Sequence, residues 1–172
     1  HPDFFPLTVL DSLLAGPSSL NMFGGGISNK TSRLYRALVD KELAVSVSGG
    51  ASATIDPFLY YFTLTVHPER TPAEVLTALD AEIERIQTGR VSRQEIARAV
   101  KQARAIFAYG SENITNQAFW LGFAEMFADY GWFLNYMDNL ERVTPRDVQR
   151  VAREYLRPQS RIVGTFLPTG EA

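Results

Sequence analysis

The sequence predicts an α+β domain in which an antiparallel sheet is packed on one side by helices. Three observations carry this prediction. Two stretches with a period of two start at Leu43 and at Phe58, the second preceded by the turn signal Asp56-Pro57. The marked helix starts then bunch together instead of alternating with strands, which argues against a doubly wound fold. Finally, the stretch from Phe58 to Val66 has one wholly apolar face and one mixed face, as expected of an antiparallel strand with one side solvated.

The first element is a helix over Asp3 to Ala15. Phe4, Leu7, Leu10, Leu13 and Leu14 fall on one side, and Gly16-Pro17 is the stop signal. A long Gly/Ser/Asn loop spans Pro17 to Thr31. A short amphipathic helix follows, with Leu34, Tyr35, Leu38 and Val39 at helical spacing. It runs almost directly into a strand whose faces are Leu43, Val45, Val47 and Ala44, Ser46, Ser48. Asp56-Pro57 marks a turn into the second strand, which sets Phe58, Tyr60, Phe62, Leu64 and Val66 against Leu59, Tyr61, Thr63 and Thr65.

Three later helix starts are written out in capping chemistry. Thr71-Pro72-Ala73-Glu74 and Ser92-Arg93-Gln94-Glu95 fit the capping box, in which hydroxyl and carboxylate satisfy orphan N–H groups reciprocally. Thr144-Pro145-Arg146-Asp147 is a close variant with proline at the first helical position. Apolar stripes follow each start: Val75, Leu79, Ile83, Ile86; then Ile96, Ala99, Val100, Ala103, Phe107; then Val148, Val151, Ala152, Tyr155. Between the last two, Ser111 to Val143 is rich in aromatics and reads as two helices broken near Asp129 to Gly131. Arg161 to Leu167 reads as a closing strand. No repeat or linker divides the chain, so residues 1–172 are expected to form one domain.

Composition excludes several classes. The net charge of −2, with lysine and arginine scattered, lacks the footprint of a nucleic-acid or anionic-membrane binder. There is no cysteine, hence neither a disulfide nor a thiolate metal ligand. The longest apolar runs fall far short of a membrane span. The chain opens on His1-Pro2-Asp3 without an initiator methionine and reads as a piece of something longer.

Local chemistry is sparse. Gly24-Gly25-Gly26-Ile27-Ser28-Asn29-Lys30-Thr31 almost spells a phosphate-binding loop, but Asn29 stands where the second glycine is needed and a helix precedes it where a strand should. Only His1 and His67 could supply imidazole, and neither H-E-x-x-H nor H-x-x-E-H can be written in the sequence. Both are also poor bases for a serine or threonine nucleophile. Glu82 with Glu84, and Asp138 with Glu141, read as solvated helix faces, and Glu42 beside Lys41 is a weak site candidate. Phe119, Trp120, Phe123, Phe127, Trp132, Phe133 and Tyr136 could line a ligand groove but read more readily as core. Asn113-Ile114-Thr115 fits a glycosylation acceptor, a triplet that needs a secretory context.

Four motifs in order carry a resemblance. They are His1-Pro2-Asp3 to Leu14; Gly24-Gly25-Gly26 followed by Ser32-Arg33-Leu34-Tyr35; Val91-Ser92-Arg93-Gln94-Glu95-Ile96; and Val143-Thr144-Pro145-Arg146-Asp147-Val148 with Ala152 and Tyr155-Leu156. At this spacing the chain resembles, over nearly its whole length, the second, metal-free half-domain of insulinase/pitrilysin-like zinc metallopeptidases, relatives of mitochondrial processing peptidase subunits. The resemblance implies a parent that hydrolyses peptide bonds with zinc in another domain, carried on H-x-x-E-H. It also implies that this inactive half forms a chamber wall and a docking surface for that homologous zinc-bearing domain, in cis or in trans. No cofactor is expected in this half, and peptide substrate, not nucleic acid or membrane, is the expected partner of the parent.

Two departures qualify the resemblance. Family members usually begin this domain with a strand before the first helix, and here the chain starts just past it. The sheet is therefore expected to be short of its first strand, with an unpaired edge that favours self-association into dimers or larger species. The family's substrate-gripping arginine and tyrosine align, with one residue fewer, on Val39 and Val45, which can neither hydrogen-bond a peptide carbonyl nor supply charge. No catalytic, metal-ligating or substrate-binding residue is therefore carried over, and Arg33 and Arg36 read as an exposed helix face. The rival expectation is a purely structural or assembly domain with no peptidase activity in the parent.

Overall fold

The computed structural model describes residues 1–17, 28–51, 54–56 and 58–168. Helix α1 (Phe4–Leu14) lies at the centre, packed against both the sheet and later helices. Its buried residues are more numerous than one stripe provides: Val9, Leu10, Leu13 and Leu14 are joined by Thr8, Asp11 and Ser12. Burial all round is the pattern of a helix enclosed by others. The helix ends as the sequence expects. The Ala15 and Gly16 N–H groups both donate to the Asp11 carbonyl, and Gly16 takes φ +104°. A Cβ there would sit 2.5 Å from the Asn29 Cβ, so the returning chain requires glycine twice over.

The short helix departs from expectation. Tyr35–Val39 is a π-helix, marked by i→i+5 bonds from Asp40 N–H to the Tyr35 carbonyl (3.0 Å) and from Leu43 N–H to the Leu38 carbonyl (2.9 Å). The wider turn allows Leu34, Ala37 and Leu38 all to enter the core. Glu42, with φ 55°, then redirects the chain into β1 (Ala44–Ala51).

β1 pairs antiparallel with β2 (Tyr60–Val66). Ala44 faces Val66 but Ser46 faces Thr65, so Val45 is the extra residue of a bulge. The bulge overturns the expected faces Leu43/Val45/Val47 and Ala44/Ser46/Ser48. Ala44 and Val47 are buried together, while Val45 is 56% exposed. β2 keeps its predicted alternation, with Tyr60, Phe62, Leu64 and Val66 turned toward the helices. It begins two residues later than expected, leaving Phe58 and Leu59 exposed before the ladder. Pro57, expected to open the strand, lies outside the described residues.

All three capping boxes form. Thr71 caps α2 (Pro72–Thr88), Ser92 caps α3 (Arg93–Gly110), and Thr144 caps the last α-helix (Pro145–Tyr155), each with its N3 carboxylate reaching back to the cap N–H. The aromatic stretch gives α4 (Ile114–Phe127), α5 (Tyr130–Leu134) and α6 (Tyr136–Glu141). The break at Asp129 falls where expected. A second break at Asn135 does not, and there the backbone N–H and side-chain amide both turn back to the Gly131 carbonyl. The last α-helix is thus α7. Leu10, Leu14, Leu34, Leu38, Ile86, Leu140, Val148 and Val151 are fully buried, giving one cluster that joins α1, the π-helix, α2, α6 and α7 beneath the sheet.

The expected closing strand over Arg161 to Leu167 is not part of the sheet. After a 3₁₀ turn (Pro158–Ser160), residues 161–168 are exposed and outside any ladder among the described residues. A strand exists only through a neighbour's N–H and C=O groups, and among the described residues this segment has none beside it.

Candidate functional site

The residues that could have carried chemistry are dispersed and locally engaged. His1 Nδ1 accepts from the Asp3 N–H (3.2 Å), and His67 Nδ1 accepts from the Glu69 N–H (3.3 Å) at the end of β2. Among the described residues no group of three or more histidines and carboxylates is placed to hold a metal ion. Gly24 to Ile27 of the phosphate-loop-like motif lie outside the described residues. Asn29 donates its amide to the Val47 carbonyl (2.8 Å), tying the chain before the π-helix to β1. Asn113 of the acceptor triplet is the N-cap of α4, its side chain taking the Asn116 N–H (2.8 Å).

The two valines that the resemblance aligns with substrate-gripping positions separate. Val39 closes the π-helix, half-buried, while Val45 is turned to solvent by the bulge. Neither offers a polar atom beyond the backbone. Arg36 is exposed, as expected of a helix face.

Arg33 is different, and the structure corrects its reading. Its guanidinium donates to Glu95 Oε1 from Nε (3.1 Å) and Nη2 (2.7 Å) and lies 3.8 Å from Glu82. Glu82, expected on a solvated face, is 6% exposed and also takes Arg85 at 2.9 Å, while its companion Glu84 is exposed. The cluster fastens the π-helix to the middle of α2 and the start of α3. Burial would raise the Glu95 carboxyl, but the Ser92 backbone N–H, Arg33 and the Ser92 hydroxyl outweigh it and hold it below the usual range. Asp138 is exposed and Glu141 pairs with Arg104, both on the surface as expected.

Sequence reading missed two further polar joints. Asp3 is buried, bonded by Arg150 of α7 on one oxygen and by the Tyr155 hydroxyl on the other (2.8 Å). The Arg150 bond lowers the Asp3 carboxyl despite its burial, and the bond to Asp3 pushes the Tyr155 hydroxyl up to about 12. Asp11, fully buried on α1, receives the Tyr60 hydroxyl of β2 at 3.0 Å. Burial first, and then Asp11, raise the Tyr60 hydroxyl far above its ordinary value. For Asp11 the signal was a carboxylate inside an apolar helix stripe, which is costly to bury unless paired.

The aromatics are core in part. Phe133 and Tyr136 are buried, with Phe107 stacked on Tyr136 and tilted against Phe133, and Trp120 stacks on Phe133 with ring centroids 5.9 Å apart. Ile106, Phe107, Gly110, Trp120 and Trp132 complete an apolar crevice of about 20 Å³, room for little more than one water molecule. Phe119, Leu121 and Met126 remain on the open side of α4.

The structure is thus an α+β domain fastened by polar joints, among them the Arg33–Glu82–Glu95 cluster where sequence reading placed exposed helix faces. Residues 1–103, more than half of the chain, match the peptidase M16 inactive domain, and the chain belongs to that family. A candidate zinc protease of Bordetella pertussis Tohama I is similar at 27% identity, over 98% of this chain and 87% of that one, with a TM-score of 0.79. The inactive peptidase domain of a candidate zinc protease from Bordetella parapertussis gives 27% identity, 98% and 86% coverage and a TM-score of 0.81. A Helicobacter pylori protease shares the fold at 22% identity and a TM-score of 0.78, with this chain spanning 35% of its length. No curated protein matches the chain.

Proposed function

We propose that this chain is the non-catalytic half of a zinc metallopeptidase, forming one wall of the peptidase chamber and a docking surface for the zinc-bearing domain. Residues 1–172 act as one domain in this role. The parent hydrolyses peptide bonds by zinc-activated water held in the other half. What supports the reading is the match of residues 1–103 to the peptidase M16 inactive domain; the valines that the resemblance aligns with substrate-gripping positions, Val39 and Val45, the latter turned away from the core by the bulge, lean slightly toward the structural alternative. A wall needs shape and rigidity more than polar reach, and the Arg33–Glu82–Glu95 cluster stiffens this one at its π-helix.

The test is zinc-dependent peptide cleavage by this chain alone and together with the zinc-bearing domain of its parent. Cleavage only by the pair is the expected result, and zinc-dependent cleavage by the chain alone would sink the reading. The same polar joints support a second reading, a structural or assembly domain, because none of them leaves a side chain free to meet substrate. Absence of H-x-x-E-H from both the parent polypeptide and its partner would favour that reading.

A further inference from the structure

We infer that the outer face of α7 is a docking site for a short acidic segment of a protein partner, whose carboxylates pair with Arg146, Arg150 and Arg153. The three arginines stand at i, i+4 and i+7 of the helix, and Gln149 and Glu154 flank them at i+3 and i+8. At about 3.6 residues per turn all five share one side. Val148, Val151 and Ala152, fully buried, take the opposite side. The five outer side chains surround an open hollow of about 560 Å³.

Two of the arginines are held in place and still offer donors. Arg150 is anchored to the buried Asp3 and lies 3.4 Å from Glu154, yet its side chain stays 48% exposed. Arg153 gives its Nε to the Gln87 carbonyl near the end of α2 (2.7 Å), while Nη1 and Nη2 make no bond among the described residues. Arg146, also exposed, has neither a hydrogen bond nor an ion pair among the described residues. A guanidinium fixed at one edge and open at the other meets a carboxylate in bidentate fashion at a lower entropic cost than a freely moving one.

Charge selects the occupant. Residues 145–157 carry four arginines against two acids, a balance of +2, whereas the whole chain stands at −2 and the remainder therefore at −4. Of the two acids, Asp147 is taken up by the capping box with Thr144. An acidic segment is drawn to the hollow, and a short one stays clear of the net negative remainder. A long polyanion or an anionic bilayer would have to lie against that remainder, which disfavours both. Glu154 argues the same way. Standing among the arginines it repels phosphate, whereas a polypeptide brings backbone N–H groups that it can accept alongside carboxylates for the arginines. Donors and an acceptor in one hollow suit peptide chemistry. None of these residues was a candidate for substrate contact, so the inference goes beyond the peptidase reading and does not depend on it.

Fluorescence titration of the whole chain with a dye-labelled peptide of alternating glutamate and serine, about ten residues long, tests the site. Saturable binding is expected, weakening about threefold or more as salt rises from about 0.05 to about 0.3 M, because exposed charges are screened. Arg146→Glu removes no contact that holds the fold, so it should keep the melting temperature while weakening binding about tenfold or more. Arg98→Glu, at an exposed position of α3, makes the same change in net charge and should weaken binding by no more than about twofold. Absence of saturable binding, equal binding of a glutamine-and-serine peptide, tighter binding of an oligonucleotide of the same length, or equal losses with Arg146→Glu and Arg98→Glu would each overturn the inference.

Discussion

At the scale of single residues, positions with special backbone or buried charge decide most. Gly16 combines a positive φ with a returning chain 2.5 Å from where a Cβ would lie. Gly16→Ala should cost about 2 kcal/mol or more in chemical denaturation. Glu42 is the opposite case, a side chain in a conformation that suits glycine. Glu42→Gly should stabilise by about 0.5–1 kcal/mol, since the Arg70 bond goes to its backbone carbonyl and survives. Arg33→Ala would leave Glu82 buried with Arg85 alone and should cost about 2 kcal/mol. If Arg33→Ala melts like wild type, the clamp is ornamental. None of these environments was written locally: Arg33 and Glu82 look like surface charges until the π-helix is set against α2.

At the scale of elements, sequence reading succeeded where the signal was local. A capping box is complete within four residues, so α2, α3 and α7 were placed to within a residue by Thr71, Ser92 and Thr144. Thr144→Ala should destabilise by about 1 kcal/mol through loss of the α7 cap, readable as a lower denaturation midpoint. The π-helix, the bulge at Val45 and the break at Asn135 went unread. The first two arise from packing demands: Leu34, Ala37 and Leu38 all had to enter one core, and β1 had to face α1 with Ala44 and Val47 together. Period counting assumes regular elements and cannot foresee an inserted residue. Most of the candidate site was legible only as a list of weak candidates, whereas the Asp3–Arg150–Tyr155 joint spans the whole chain and left no local trace.

The whole molecule should show its polar joints in its pH dependence. Asp3, Glu74, Glu95 and Asp147 are all held below the ordinary carboxylate range. Their contribution is fully present above the unfolded value of about 4 and is lost as pH falls through the lower folded values. Tyr155 works in the other direction. Its hydroxyl is raised to about 12, so the bond to Asp3 holds below the unfolded value and is lost as pH rises through about 12. Asp3→Asn should flatten both limbs of a stability-against-pH curve, and an unchanged acid limb would show that Asp3 is not a keystone.

By itself the sequence determined the fold class, the helix starts and the family resemblance, because caps, turn residues and apolar periodicity are interactions between near neighbours. Only the tertiary structure decided which charges are buried, where Val45 points and that residues 161–168 join no ladder among the described residues. Those outcomes depend on which elements meet, and a buried ion pair or a strand ladder has no energy until its distant partner arrives.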